Sequence, residues 1–255
     1  MRFFTKRFDT VENKKLFEDA TPFPHIVIDN FLDDDALRSL LRNYPKIEDK
    51  SWWHYENPLE MKYAFNNVDE LSSEFKTFFE EANSPDVVEQ MSSLADLKGV
   101  IPDLTLRGGG LHQIAPGGKL DVHEDFNVNI DMHARRVLNM IVYLNDEWQE
   151  SYGGHLQLWD AEMKSCVKSV LPVFNRAVIF RTDKKSNHGH PDPLTCPVGM
   201  TRRSLATYYY IPMSNVETYE YTSTQFKKRP SDPEDQEVEE LRIKRNRGRL
   251  ADKKS

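Results

Sequence analysis

The residues best suited to chemistry are a histidine and an aspartate two positions apart, His123 and Asp125. On an extended strand, residues at this spacing point to the same side, so an imidazole and a carboxylate converge on one point. A third donor must come from another strand, and spacing alone leaves His188 and His190 as candidates. Two imidazoles and a carboxylate on one face of a metal ion leave its other face open, which suits Fe(II) better than structural zinc. An HxD tripeptide also recurs by chance. Its position before a strand-rich stretch is what favours a metal site here.

Two adjacent arginines, Arg202 and Arg203, open a later segment with strand character. Alternation along a strand places one of them on each face, and if Arg202 points inward then Ser204 shares its face. A guanidinium inside a small barrel is unfavourable unless it is paired, and a carboxylate ligand would pair it through two parallel hydrogen bonds. Ser204 would donate a third. The alternatives, an inward Arg203 or two surface arginines, stay open on the pattern alone.

Tyr143 lies in an apolar run over residues 137–144 that ends at a turn signal, Asn145-Asp146. A tyrosine hydroxyl inside a barrel needs a hydrogen-bond partner. Either the far carboxylate of a diacid held by the arginine or a backbone group would serve, and the residues do not separate these alternatives.

The elements that must position these side chains begin at about residue 101, where short apolar runs alternate with Gly, Pro, Asn and Asp. The candidate strands are residues 110–114, 137–144, 155–158, 177–181 and 204–211. Turn signals rich in Gly and Pro separate them. Many short strands without intervening helices indicate a β-sandwich or a jelly-roll barrel, and argue against a parallel α/β sheet.

The N-terminal part has helical periodicity instead. Aspartates at 33–35 provide a cap and first-turn acids for one helix. Apolar stripes predict two further helices, over residues 69–82 and 86–97.

An aromatic segment over residues 50–66 contains Trp52, Trp53 and Tyr55 without a clean period. We predict an ordered loop there. Loops over a rigid scaffold often carry specificity, so this one either covers the site as a lid or packs as ordinary core.

Length and composition favour one domain with an extension. The chain has 255 residues, 38% of them hydrophobic, which is enough for one sizeable core. We predict a single domain over residues 1–225, with helical support over about 1–100 and the barrel over about 101–212. Residues 226–255 turn from acidic to basic, which predicts a charged C-terminal helix or tail.

Net charge and cysteine content limit which partners and which cellular compartment are expected. The net charge of −7 gives no general affinity for nucleic acid or anionic membranes. Two cysteines, Cys166 and Cys196, make a disulfide framework unexpected, and no apolar run is long enough for a signal peptide or a membrane span. We expect a cytoplasmic protein with no membrane partner and no nucleic-acid partner.

Several motifs, in matching order, resemble the 2-oxoglutarate and Fe(II)-dependent oxygenase superfamily, in particular its prolyl 4-hydroxylase-like branch. They are FPHIVID (23–29), GGKLDVHEDF (117–126), YLNDEW (143–148), GGHLQLW (153–159), PVFNRAVIF (172–180), SNHGHP (186–191) and RRSLA (202–206). The resemblance covers roughly residues 20–212, so it is far more specific than any single motif.

The resemblance implies a mainly β fold, a double-stranded β-helix (cupin-like jelly roll) with N-terminal helices packed on one sheet. His123, Asp125 and His188 match the iron ligands, which favours His188 over His190. Arg202 matches the residue that binds the distal carboxylate of 2-oxoglutarate. Tyr143 matches a tyrosine that assists it.

Two more cosubstrate contacts are expected from Ser204 and from Gln113, because Gln113 occupies a position where relatives often carry another contacting residue. Dioxygen would be the second cosubstrate, and ascorbate a supporting reductant. The products would be succinate, carbon dioxide and a hydroxylated C–H bond.

The substrate stays open between three hypotheses. The first is a prolyl or similar residue in a peptide or protein, and the second is a free small molecule such as an amino acid, sugar or nucleotide derivative. The third is a barrel without catalysis that binds metal or ligand. An open groove of aromatic residues beside the metal would favour the first, and a small closed pocket the second.

Overall fold

Antiparallel strands form the framework of the structure, a computed structural model that describes residues 1–49, 51–183, 185–214 and 220–247. The helices are α1 (Val11–Glu18), α2 (Asp34–Arg42), α3 (Ser73–Ala82), α4 (Pro85–Leu94) and α5 (Gln236–Arg247). None of these described helices is long and apolar enough to cross a membrane. The strands are β1 (His25–Asp29), β2 (Trp53–Asn57), β3 (Glu60–Phe65), β4 (Ile101–Pro102), β5 (Gly110–Ile114), β6 (Lys119–Glu124), β7 (Val128–Asn129), β8 (Ala134–Tyr143), β9 (Leu156–Trp159), β10 (Cys166–Val170), β11 (Arg176–Arg181), β12 (His188–His190), β13 (Arg202–Pro212) and β14 (Gln225–Phe226).

Hydrogen bonding links the main strands in the order β1-β11-β8-β13-β5-β3-β6-β12-β9-β10. The short strands join this path from the side, with β2 on β3, β4 on β13, β7 on β8 and β14 on β6. The path folds over on itself, because side chains of β8 and β11 share a core with those of β9 and β10. This nearly closed arrangement is the double-stranded β-helix, so the predicted fold class is confirmed.

The N-terminal helices cover the outer face of the layer that contains β8, β11 and β13. Met140 and Val142 of β8 pack in the same core as the helices. Ile141 and Tyr143, which alternate with them, face the barrel interior. Burying the outer apolar face is favourable by roughly 25 cal/mol per Å². The helices therefore hold in place the strands whose inner faces carry the site, as the sequence predicted.

The helix boundaries follow from local capping. α2 starts at the predicted aspartates, because the Asp33 side chain accepts a hydrogen bond from the Ala36 N–H. α3 begins later than predicted, because a 3-10 turn, Val68–Glu70, precedes it. α4 ends earlier than predicted, because Asp96 adopts a left-handed backbone with φ 48°. The five strands predicted from the sequence are present as β5, β8, β9, β11 and β13.

The aromatic segment is a β-hairpin, β2 with β3, so the prediction of a loop over residues 50–66 was wrong. The Asn57 side chain accepts hydrogen bonds from the N–H groups of Leu59 and Glu60 and closes the turn. Trp52 is buried beside Tyr44, whereas aromatic residues also occupy the outer positions of the ribbon. Aromatic residues do alternate within each strand, Trp53 with Tyr55 and Tyr63 with Phe65, but the adjacent Trp52 interrupts this period of two at the start of the segment.

The C-terminal segment packs onto the barrel. β14 pairs with β6, placing Phe226 opposite His123. Asn246, near the end of α5, exchanges hydrogen bonds with the backbone of Phe226. Arg242 of α5 is buried and lies 3.8 Å from the Asp121 carboxylate. The predicted domain limit at residue 225 stays a prediction, and residues 248–255 of the predicted tail lie outside the described residues.

Candidate active site

His123, Asp125 and His188 converge inside the barrel. β6 pairs with β12 so that His123 lies opposite His188, with ring centroids 4.5 Å apart. One oxygen of Asp125 lies 3.7 Å from His123 Nε2, and the other lies 3.7 Å from His188 Nε2. The ligand atoms that the three residues offer all lie within 4.8 Å of one another, so one metal ion could be shared between them.

The two imidazoles are oriented by backbone carbonyls. His123 Nδ1 lies 2.9 Å from the backbone carbonyl oxygen of Asp121, and His188 Nδ1 lies 2.8 Å from that of Ser186. With Nδ1–H donated to a carbonyl, each ring presents Nε2 as a lone-pair donor, as metal-binding histidines commonly do. Burial, and next the His123 ring, lower the pKa of His188 to about 4, which keeps the neutral form that binds metal.

His190, the other candidate from spacing, also lines the barrel interior but is not part of the converging cluster. Gly189 between the two histidines has a steric role, since a Cβ there would lie 2.8 Å from the carbonyl oxygens of Leu120 and Asp121. β12 therefore lies close against β6, and this contact fixes the position of His188.

Arg136 of β8 is a site residue that the sequence analysis missed. Its guanidinium is buried, and Nη1 lies 2.8 Å from Asp125 Oδ2. The rings of Phe126 and Tyr208 enclose it, each with its centroid 3.7 Å from the guanidinium carbon. Burial opposes the charged form of Asp125, but Arg136 and the two histidines outweigh it and hold the pKa of that carboxyl well below its usual range. Asp125 is therefore a fixed anion in a fixed orientation.

Arg202 lies elsewhere in the same cavity, on the inner face of β13, and is 4% exposed. Its Nε donates to the Gly154 carbonyl at 2.7 Å, and Nη2 donates to the Tyr143 hydroxyl at 3.3 Å. Gly154 has φ 72°, and a Cβ there would lie 2.9 Å from Arg202 Cδ, so glycine permits this close approach. Burial lowers the pKa of Arg202, and no carboxylate in the described part of the chain forms an ion pair with it. An acidic ligand would supply the missing partner.

The other predicted cosubstrate contacts divide between the two faces of the barrel wall. Ser204 lines the cavity. Arg203 and Gln113 point the opposite way: Arg203 Nε donates to Gln113 Oε1 at 3.2 Å, and Gln113 Nε2 donates to the Pro45 carbonyl. The structure therefore places Gln113 away from the cavity, contrary to the expectation of a cosubstrate contact. Side-chain alternation along β5 instead turns its neighbour, His112, inward.

The cavity has a volume of about 670 Å³ and opens to solvent. The β2–β3 hairpin and the C-terminal segment contribute to its lining, through residues that include Trp53, Tyr55, Phe226 and Arg245. Trp53 is 59% exposed there, whereas Trp52 belongs to the core. Trp52 therefore packs as ordinary core, whereas Trp53 is available to cover the site.

The family model of the 2OG-Fe(II) oxygenase superfamily matches residues 109–210. The prolyl 3-hydroxylase OGFOD1 of Mus musculus is 24% identical over 225 residues, which is 86% of this chain and 38% of that protein. The chain thus spans well under half the length of this curated relative.

Two solved structures share the fold. A prolyl hydroxylase of Trichoplax adhaerens, in complex with a peptide fragment of a hypoxia inducible factor, superposes with a TM-score of 0.56 and 19% identity, over 78% of this chain and 90% of that one. A prolyl-4-hydroxylase of Pseudomonas putida superposes with a TM-score of 0.53 and 17% identity, over 79% and 100%.

The converging donors and the arginine without a carboxylate partner among the described residues thus lie within the region that the family model matches. The fold of the chain is that of the two prolyl hydroxylase structures.

Proposed function

We propose that the chain is a dioxygenase that hydroxylates a C–H bond of a prolyl or similar residue in a peptide or protein, with release of succinate and carbon dioxide. The observation that carries this proposal is the buried Arg202, which lacks a carboxylate partner among the described residues and shares a cavity with the His-Asp-His cluster. A diacid with a metal-chelating end and a free carboxylate fits both features at once.

In this proposal His123, Asp125 and His188 hold the iron, and the donor set fits it. There is no thiolate, both imidazoles present Nε2, and the carboxylate is kept ionised. When bound, the iron together with 2-oxoglutarate and dioxygen supplies the oxidising chemistry, as cofactors generally do. Three protein donors on one face leave the remaining positions for the cosubstrates.

The remaining residues bind and orient. Arg202 and the Tyr143 hydroxyl bind the distal carboxylate of 2-oxoglutarate, with Ser204 on the next inward position of β13. Because this part of the cavity is buried, water competes little for the guanidinium, and the charged hydrogen bonds are stronger than at the surface. Arg136 keeps Asp125 in place. The protein thereby fixes the cosubstrate beside the substrate C–H bond before reaction begins.

A polypeptide substrate is supported by the exposed part of the cavity lining. The β2–β3 hairpin contributes to this lining and presents the exposed Trp53. Exposed aromatic residues at an open cleft are typical of peptide-binding surfaces. The relative and the two structures described above are named as prolyl hydroxylases, and one of them is in complex with a peptide fragment. The unpaired Cys166 and Cys196 support the further proposal of a reducing, cytoplasmic location.

The test is substrate-dependent succinate formation by Fe(II)-loaded protein, screened with pools of proline-containing peptides and, in parallel, with free amino acids and sugars. Active peptides are then analysed by mass spectrometry for one added oxygen atom at a defined residue. Peptide-dependent succinate formation that is lost in Arg202→Ala supports the proposal. Turnover by free small molecules alone would contradict the assignment of a polypeptide substrate.

A further inference from the structure

Three cations that bind neither metal nor cosubstrate in the proposed function line the cavity. They are Lys62 of β3 and Lys244 and Arg245 of α5, called here the basic cluster. Lys62 and Arg245 both pair with the same carboxylate, Glu60, which is 3% exposed. Lys244 is exposed and forms no ion pair within the described part of the chain. Three positive charges thus face one negative charge, and the cluster keeps a positive surplus.

Glu60 holds two of these long side chains in place. Lys62 Nζ lies 3.4 Å from one Glu60 oxygen, and Arg245 Nη2 contacts the other. Burial acts to raise the pKa of Glu60, but Lys62 and then Arg245 outweigh it and lower this pKa, so the carboxyl is ionised. Ordering a flexible cationic side chain opposes ligand binding. For Lys62 and Arg245 the folded protein already supplies this order.

The other charged residues of this part of the lining do not cancel the surplus. Glu56 is 73% exposed, so solvent and salt screen its charge. Arg107 adds no free charge, because it pairs with Asp131 at 3.3 Å. The chain as a whole carries a net charge of −7, so the positive charge at the cavity is a local feature.

The charges along α5 change sign, and the positive end of the helix lies at the cavity. Its first turn is acidic, and its last turn contains Lys244, Arg245 and Arg247. The helix macrodipole favours this order on any helix, but it does not decide which end meets the cavity. Asn246 decides this, because it exchanges hydrogen bonds with the backbone of Phe226, which pairs with β6. The basic turn is thereby anchored beside the strand that carries the first metal ligand.

We propose that the basic cluster binds aspartate or glutamate side chains that flank the hydroxylated residue of a polypeptide substrate. This inference rests on the proposed function, because it names the charge class of the substrate for the same site. An acidic side chain of the peptide would pair with Lys244, and a second would share Lys62 and Arg245 with Glu60. Such contacts are made equally before and during reaction, so they should lower KM and leave kcat little changed.

The experiment compares pools of short peptides that share a central proline and differ only in the flanking residues. These are acidic (Asp and Glu), the matching amides (Asn and Gln) or basic (Lys and Arg). Succinate formation by the Fe(II)-loaded full chain gives KM and kcat, and mass spectrometry checks for one added oxygen atom on the proline. Two exposed ion pairs should make the KM of the acidic pool roughly 2- to 30-fold lower than that of the amide pool. This preference should shrink as salt is added, since salt screens exposed charges.

Lys244→Glu tests the cluster without removing a partner of Glu60. It should raise the KM for acidic peptides and abolish or reverse their preference over the amide peptides. Lys62→Gln, which leaves Glu60 paired with Arg245, should reduce the preference in part. Lys15→Glu is the matched control, because Lys15 is also an exposed lysine on a helix, α1, but does not line the cavity. Its ratio of the two KM values should equal that of the wild type.

Equal KM values for the acidic and amide pools in the wild-type protein would overturn the inference. So would a preference for acidic peptides that persists unchanged in both Lys244→Glu and Lys62→Gln. Stronger inhibition by a single-stranded oligonucleotide than by acidic peptides would also overturn it, because the cluster would then serve a nucleic acid. These outcomes leave the proposed function intact as long as the amide pool is hydroxylated. If no pool yields a hydroxylated peptide, the proposed function itself fails.

Discussion

Arg136 and Arg202 are both buried near the site, and they differ in what balances their charge. Arg136 lies 2.8 Å from the Asp125 carboxylate, between two aromatic rings. Among the described residues, Arg202 has only a carbonyl and a tyrosine hydroxyl as hydrogen-bond partners. An arginine with an internal counter-ion holds a neighbouring residue in place, whereas an arginine without one is a binding site for an anion.

The difference is also visible in the pKa values. Burial acts against the charge on both arginines, yet the Asp125 carboxylate raises the pKa of Arg136, whereas burial leaves the pKa of Arg202 lowered. The charge of Arg136 is thus balanced by Asp125 within the protein. The charge of Arg202 would be balanced by a bound anion. Four predictions test this division, from the largest expected effect to the smallest.

The largest effect should follow loss of a metal donor. His123→Ala, Asp125→Ala and His188→Ala should each abolish detectable Fe(II) binding and turnover, a greater loss than the roughly 10- to 100-fold expected for an outer partner. His190→Ala should retain Fe(II), because His190 lies outside the converging cluster. Calorimetric titration with Fe(II) measures the metal affinity of each variant. If His188→Ala binds Fe(II) normally and His190→Ala does not, the third ligand is His190.

Arg202→Ala should remove the anion-binding region while sparing the metal. Loss of a buried charged pair costs on the order of 2–5 kcal/mol, which is roughly 30- to 4,000-fold in 2-oxoglutarate affinity. Arg203→Ala is the control, since its side chain binds Gln113 on the opposite face of β13 and should change the affinity little. Titration with 2-oxoglutarate at saturating Fe(II) measures the affinity of both variants. If only Arg203→Ala lowers this affinity, the cosubstrate binds on the opposite face of β13.

Arg136→Met should act through Asp125. The carboxylate loses its buried counter-ion and its fixed orientation, so Fe(II) affinity should fall by about 10- to 100-fold. Arg107→Met is matched to it, because Arg107 also lies over the Phe126 ring, at 5.7 Å, but pairs with the exposed Asp131. Fe(II) binding by Arg136→Met equal to that of Arg107→Met would mean that Arg136 does not position the ligand.

Trp53→Ala should have the smallest effect, confined to the substrate. Loss of an exposed aromatic contact of about 1 kcal/mol would raise the KM for an active peptide roughly 5-fold, without change in Fe(II) or 2-oxoglutarate binding. Trp52→Ala should instead destabilise the fold by about 3–5 kcal/mol, as expected for a buried aromatic residue. Peptide kinetics and thermal unfolding of the two variants separate these roles, and normal peptide kinetics in Trp53→Ala would remove Trp53 from the substrate surface.

Much of the site could be predicted because strand alternation is local. The i, i+2 spacing brought His123 and Asp125 together, and the same alternation along β13 placed Arg202 and Ser204 inside. Gln113 was placed wrongly because its assignment relied on distance along the sequence from His123. The register of β5 against β13, which pairs Gln113 with Arg203, decides its face.

Other parts of the site depend on contacts between distant strands. Arg136 precedes a strongly apolar run, and only the packing of β8 against the loop after β6 brings it to Asp125. His112 and His190 come from strands that are not neighbours, so no local pattern joins them. The hairpin was missed because the adjacent Trp52 and Trp53 interrupt the aromatic period of two at its start.

The pairing of β14 with β6 also bears on self-association. β6 is bordered by β12 on one side, while β3 covers only the early part of its other side, opposite Lys119 and Leu120. β14 continues that cover along His123 and Glu124. Without β14, the backbone at His123 and Glu124 would form an open sheet edge, where a strand from another molecule could add. The C-terminal segment therefore covers a sheet edge at which an added strand would lie beside the His-Asp-His cluster.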